Sequence, residues 1–127
     1  MHIAFIEKNE QDVQNLLHSC RQCLPEHTVR YSCYPSYDEL FQSKEDLNVD
    51  ILFSDIYLES ENEIQCAQMV KRKNPNVQII FYSSNLDYSL LTYEVAHIYF
   101  FLKNDMESRV SLAIERAQSH LHTQIFS

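Results

Sequence analysis

Asp55 stands directly behind the apolar run Ile51-Leu52-Phe53 and Ser54, and apolar residues resume at once with Ile56, Tyr57 and Leu58. A carboxylate buried without a partner is costly. Either Asp55 ends a strand at the surface by accident or its position is its purpose. The same pattern recurs. Glu7-Lys8 follow the run His2–Ile6, Ser83-Ser84 follow Val77–Tyr82, and Lys103 follows Ile98–Leu102. Carboxylates can act as nucleophiles or hold cations, hydroxyls donate hydrogen bonds, and a lysine supplies fixed positive charge. Such groups do chemistry together only if the chain brings the ends of these runs to one place.

The segments between the runs predict that it does. Val13, Leu16, Leu17, Cys20 and Leu24 form one helical stripe. Asn9 with Asp12 reads as its cap, and Pro25 marks its end. Residues 28–33 read as a strand and 36–43 as a short helix. Residues 50–54 form the next strand, and Ile64, Ala67 and Val70 share a helix face that stops before Asn74-Pro75. Val77–Tyr82 reads as a strand, 85–96 as a helix and Ile98–Leu102 as a strand. Asn104 with Glu107 reads as a capping box for a last helix carrying Met106, Val110, Ala113, Ile114, Ala117 and Leu121. Strands alternating with helices predict an α/β fold, a parallel sheet covered on both faces, in one domain over residues 1–127. Sites in such sheets lie outside the carboxyl ends of the strands, so the four polar groups converge on one edge.

Composition removes several function classes. Net charge is −8, which disfavours nucleic-acid binding by this chain itself. Glycine is absent, which excludes the glycine-dependent P-loop and dinucleotide fingerprint. No apolar stretch approaches the ~18 residues of a membrane span. The N-terminus lacks the basic start and long apolar run of a signal peptide. The expectation is a cytoplasmic protein with free thiols at Cys20, Cys23, Cys33 and Cys66.

In their order and their strand ends, these residues resemble the receiver domain of bacterial response regulators, over essentially the whole chain. The resemblance implies a flavodoxin-like (βα)5 doubly wound sheet in the order 2-1-3-4-5. It implies a signalling switch of two-component systems rather than an enzyme. Asp55 would accept a phosphoryl group from a histidine kinase, Ser83 would turn toward that group and Lys103 would pair with its oxygens. Phe100, three positions before the lysine, would be the switch aromatic. Mg²⁺ would be held by Glu7, Asp55 and the backbone of Tyr57. The stretch "NLDYSLLTYEVAHIYFFLKN" is similar to receivers that precede LytTR-type DNA-binding domains, through Tyr88, Tyr93, Glu94, Val95 and Lys103. DNA contact would then need an output domain outside this chain. A homodimer through helix 4, strand 5 and helix 5 is implied, using Tyr88, Tyr93, Phe101 and Arg109.

The sequence departs from that family in three places. Lys8 replaces the second acid, Asn104 replaces the proline after the lysine, and Glu59, Glu61 and Glu63 occupy the loop after Asp55. Lys8 is therefore expected to weaken Mg²⁺ binding, to approach Asp55 and to lower its pKa. The alternative is a degenerate receiver that binds a partner without phosphorylation. A flavin carrier shares the architecture, but residues 7–10 lack the Ser/Thr/Gly run that would hold its phosphate. Cys20-x-x-Cys23 with His18, His27 and Cys33 could suggest zinc, but Cys20 lies on the apolar helix stripe and reads as packing. His120 and His122 read as a solvated helix end.

Overall fold

The computed structural model describes residues 1–57 and 63–126, with the side chains of 122–126 left aside. The expected acidic loop after Asp55, apart from Tyr57 and Glu63, and the reading of His122 lie outside the described residues.

Five parallel strands form one sheet in the order β2-β1-β3-β4-β5. They are β1 (His2–Ile6), β2 (Arg30–Tyr34), β3 (Ile51–Asp55), β4 (Gln78–Ser83) and β5 (Tyr99–Leu102). The helices are α1 (Glu10–Cys23), α2 (Tyr37–Ser43), α3 (Glu63–Lys73) and α4 (Met106–Phe126). The flavodoxin-like order is thus the one the sequence led us to expect. Where a fourth α-helix was expected over 85–96, Leu86–Glu94 forms a 3₁₀ helix. Its apolar residues do not make one buried stripe: Leu86, Leu90 and Tyr93 are exposed, and Thr92 is the residue buried. Asn85 caps this segment by accepting from the Asp87 N–H. The expected capping box at Asn104 is replaced by a 3₁₀ turn, Lys103–Asp105, and α4 opens at Met106.

Alternation along each strand separates two cores. Ile3, Phe5, Ile51, Phe53, Ile80, Tyr82 and Phe101 face α1 and α4, meeting Leu16, Cys20, Val110, Ala113 and Ala117. Ala4, Ile6, Leu52, Ile79 and Phe81 face α2 and α3, meeting Leu40, Ile64, Ala67 and Val70. Strands buried on both faces read as continuous apolar runs, as these do. Cys20 belongs to the first core, which agrees with its reading as a packing residue. Phe101 is 3% exposed, so it is not part of any surface, contrary to expectation. The parity of β5 turns it onto α4, while Phe100 packs half-buried on the opposite core.

Helix ends are fixed locally. The Asn9 side chain accepts from the Asp12 N–H at 2.9 Å and caps α1, so the first turn of α1 starts two residues after Lys8. The C-cap of α2 is Lys44, at φ 60°, ψ 22°. A glycine would ordinarily take that left-handed position.

Candidate functional site

The carboxyl edge of the sheet brings together the ends of β1, β3, β4 and β5 and the first turn of α1. Asp55 is the last residue of β3 and faces Tyr82 of β4 in register. Ile6 pairs with Ser54, which brings Glu7 alongside Asp55. Lys103 follows β5 immediately. The first turn of α1 adds Asp12 from above.

The Lys103 ammonium is the hub. Its Nζ lies 3.0 Å from Asp55 Oδ2, 3.1 Å from Glu7 Oε1 and 2.9 Å from Asp12 Oδ2. Glu7 is the most enclosed of the three acids, its side chain 1% exposed against 12% for Asp55 and 24% for Asp12. Burial of that carboxylate is tolerated because its oxygens are satisfied. Oε1 also accepts from the Tyr82 hydroxyl at 2.8 Å, and Oε2 accepts from the Asn9 N–H at 3.1 Å. The Tyr82 ring stacks on Phe101 at 5.2 Å between centroids, and the Lys103 ammonium lies over it at 5.8 Å.

Charge and burial set the protonation of the group. Burial, and then the neighbouring Glu7 charge, raise the Asp55 pKa to about 6, against the pull of Lys103. The expected lowering by Lys8 does not occur. Lys8 is exposed and makes no ion pair with Asp55; its charge acts instead on Glu63. Burial opposes the charge on Lys103, but the hydrogen bonds to Asp12 and Asp55 and the charges of Asp55 and Glu7 hold its pKa above the usual lysine value. The Tyr82 hydroxyl is pushed upward, chiefly by burial and then by Glu7 and Asp55. Glu63 accepts from the Tyr57 N–H at 2.7 Å, and burial raises its pKa to about 7.

The structure therefore brings Glu7, Asp55 and Lys103 together as the sequence suggested. Ser83 stands at the matching strand end, but it is 1% exposed, its hydroxyl donates to the Ile56 carbonyl at 3.0 Å, and its oxygen accepts from the Asn85 N–H. Phe100 packs beside β4, in register with Phe81. Two site residues escaped the sequence reading. Asp12 looked only like part of a helix cap; that a first-turn acid of α1 opens onto the same edge as the strand ends was the available signal. Tyr82 looked like one more apolar residue of β4, and only its hydroxyl pointed to a polar end.

The resemblance implies Mg²⁺ at Glu7, Asp55 and the Tyr57 backbone, and these residues do not fit it. Both Glu7 oxygens are engaged, and Lys103 already takes one oxygen from each of three carboxylates. Among the described residues, no group of three His, Cys, Asp or Glu is arranged to hold a metal ion.

Asp55 and Lys103 open into a cleft of about 700 Å³, lined also by Lys8, Asp12, Tyr37, Tyr57 and Glu63. A carboxylate with an ammonium 3.0 Å away, at an open cleft, is equipped to attack an electrophile whose oxygens carry negative charge. Among the described residues, no helix is long and apolar enough to cross a membrane.

No protein-family model matches the sequence, and no curated protein matches it. Solved structures do match in fold. The response regulatory domain of mrkE from Klebsiella pneumoniae is 16% identical, with a TM-score of 0.82 over 97% of this chain and 99% of that one. The isolated REC domain of RcsB from Salmonella enterica serovar Typhimurium is 16% identical, with a TM-score of 0.76 over 94% of this chain and 88% of that one. A longer RcsB response regulator structure from Salmonella typhimurium is 15% identical, with a TM-score of 0.77; it covers 94% of this chain, which spans only 60% of that one. With five parallel strands in the order 2-1-3-4-5, this chain has the fold of response regulator receiver domains.

Proposed function

We propose that the chain is the receiver of a two-component signalling protein and accepts a phosphoryl group on Asp55 from a histidine kinase. The observation that carries this reading is the 3.0 Å pair of Asp55 and Lys103 at the mouth of the cleft. In the proposed step an Asp55 carboxylate oxygen attacks phosphorus in line with the phosphohistidine nitrogen. The O–P bond forms, the P–N bond breaks, and its electron pair returns to the imidazole. Lys103 offsets charge on the equatorial oxygens. Ser83 would join by turning its hydroxyl from the Ile56 carbonyl to the phosphoryl group, and Phe100 would repack in response. The test is incubation with acetyl phosphate, with and without Mg²⁺, followed by intact mass. A phosphoryl adduct that disappears in Asp55→Asn is expected; no adduct under any condition refutes the reading.

A second reading is a phosphorylation-independent interaction module. It is favoured by Lys8 in the place of an acid and by Glu7 being tied to Tyr82, Lys103 and Asn9. Partner binding that is equal for the natural chain and Asp55→Asn would select it.

A second copy, or the kinase, would meet the face bearing the exposed Leu86, Leu90 and Tyr93. DNA contact by so acidic a chain would require a separate output domain, and the likeness of Tyr88, Tyr93, Glu94 and Val95 to LytTR-type receivers suggests its kind. The cytoplasm, where a histidine kinase presents its phosphoryl group, is the proposed location.

A further inference from the structure

One ammonium serves three carboxylates at the sheet edge, and the three are not equivalent. Glu7 is fixed by Tyr82 and the Asn9 N–H in addition to Lys103. Asp55 is the proposed acceptor. Asp12 is the least enclosed, and its side chain is held at 2.9 Å by Lys103. The contact joins residues 91 positions apart, tying the first turn of α1 to the end of β5. Asp12 can let go at small cost: its backbone N–H, not its carboxylate, takes part in the helix cap with Asn9.

We propose that Asp12 is a positioning residue that latches Lys103 and must release it when a phosphoryl group arrives at Asp55. The inference rests on the phosphoryl-acceptor reading above. Its physical basis is charge. With Glu7, Asp12 and Asp55 ionised, one positive charge faces three negative ones. A phosphoryl group brings more negative charge to the same ammonium, and a lysine has three N–H donors to share. While Asp12 occupies one of them and offsets the positive charge, Lys103 stabilises the incoming oxygens less. Release of Asp12 frees that donor and uncouples α1 from the end of β5, so that arrival of the group at Asp55 is felt on the α1 and α4 face.

The test uses the full chain with Asp12→Asn, which removes the charge and keeps the shape, and Asp12→Ser, which is too short to reach Lys103. Two readouts are followed: acylation of the Lys103 amine by an N-hydroxysuccinimide ester, read by peptide mass, and Asp55 phosphorylation by acetyl phosphate. Loss of one partly exposed charged contact predicts that both rise about three- to tenfold in both variants. Asp12→Glu, which can restore the contact, should return both toward the natural values. Unchanged Lys103 acylation overturns the latch, and so does slower or unchanged phosphorylation in a variant whose Lys103 has become more reactive. If even the natural chain takes no phosphoryl group, the acceptor reading fails. Lys103 acylation then still decides whether Asp12 shields the ammonium: a rise supports the latch and no rise overturns it.

Discussion

The Tyr82 hydroxyl donates to Glu7 Oε1 at 2.8 Å across the interior of the sheet edge. Tyr82 lies fully inside the core, with its ring stacked on Phe101, and Glu7 is almost completely enclosed. A strand aromatic thereby carries one polar atom to the one place where a buried carboxylate needs it. Tyr82→Phe keeps the ring and removes the donor. The expected loss is about 1–2 kcal/mol of unfolding free energy, since a hydrogen bond to a charged group is lost but Lys103 and the Asn9 N–H remain. Urea unfolding of the two proteins measures it; equal midpoints would refute it.

Asp55, with its pKa raised to about 6, should set the acid limb of phosphorylation. The carboxylate is the attacking form, so the rate constant with acetyl phosphate should be nearly flat from pH 7 to 8. It should fall about tenfold per unit well below pH 6. A rate that stays level to pH 4.5 would show that Asp55 is not raised. Lys103 stays charged throughout this window, because its pKa is displaced upward.

Glu63 should make stability depend on pH in the opposite sense to an ordinary ion-paired acid. Its folded pKa is raised from 4.5 to about 7, chiefly by burial. The folded chain then binds the proton more tightly than the unfolded chain, so this contribution is present at low pH and is lost as pH rises from 4.5 toward 7. His2 works against it: burial and Arg30 lower its pKa from 6.5, so its contribution is lost as pH falls through that value. Comparing the Tm of the natural chain with that of Glu63→Gln between pH 4.5 and 8 isolates Glu63, because His2 is common to both. The substitution should gain stability relative to the natural chain as pH rises. A difference that does not change with pH would refute the assignment.

Lys44 closes α2 in the left-handed region without being a glycine. A side chain costs about 1–2 kcal/mol there, and glycine gives part of that back through its larger unfolded-state entropy. Lys44→Gly should therefore stabilise the fold by about 0.5–1 kcal/mol, read as a higher urea midpoint with an unchanged slope. A lower midpoint would mean that the Lys44 side chain contributes more than its backbone costs.

Much of this protein was determined by its sequence alone. The continuous apolar runs, each broken by a polar residue, specified parallel strands buried on both faces, because only such strands bury side chains of both parities. The rule that parallel sheets concentrate their sites at the carboxyl edge groups Glu7, Asp55 and Lys103 from their strand-end positions alone. Asn9 as the α1 cap was equally local, since the spacing to Asp12 is a matter of one helical turn. The tertiary structure alone decided what depends on facing and on distance across the sheet. Strand parity buried Phe101 and left Phe100 half-covered, a difference of one residue that composition cannot express. Lys8 turned out to be exposed, so the second charge expected beside Asp55 is absent, and burial with Glu7 raises its pKa instead of lowering it. Asp12, Tyr82 and Lys103 are far apart in sequence, and no local pattern encodes their meeting. A hydrogen bond from near the end of one strand, an ion pair from the first turn of one helix and a lysine after another strand meet because the sheet register and the seat of α1 bring three backbones to within a side chain's reach.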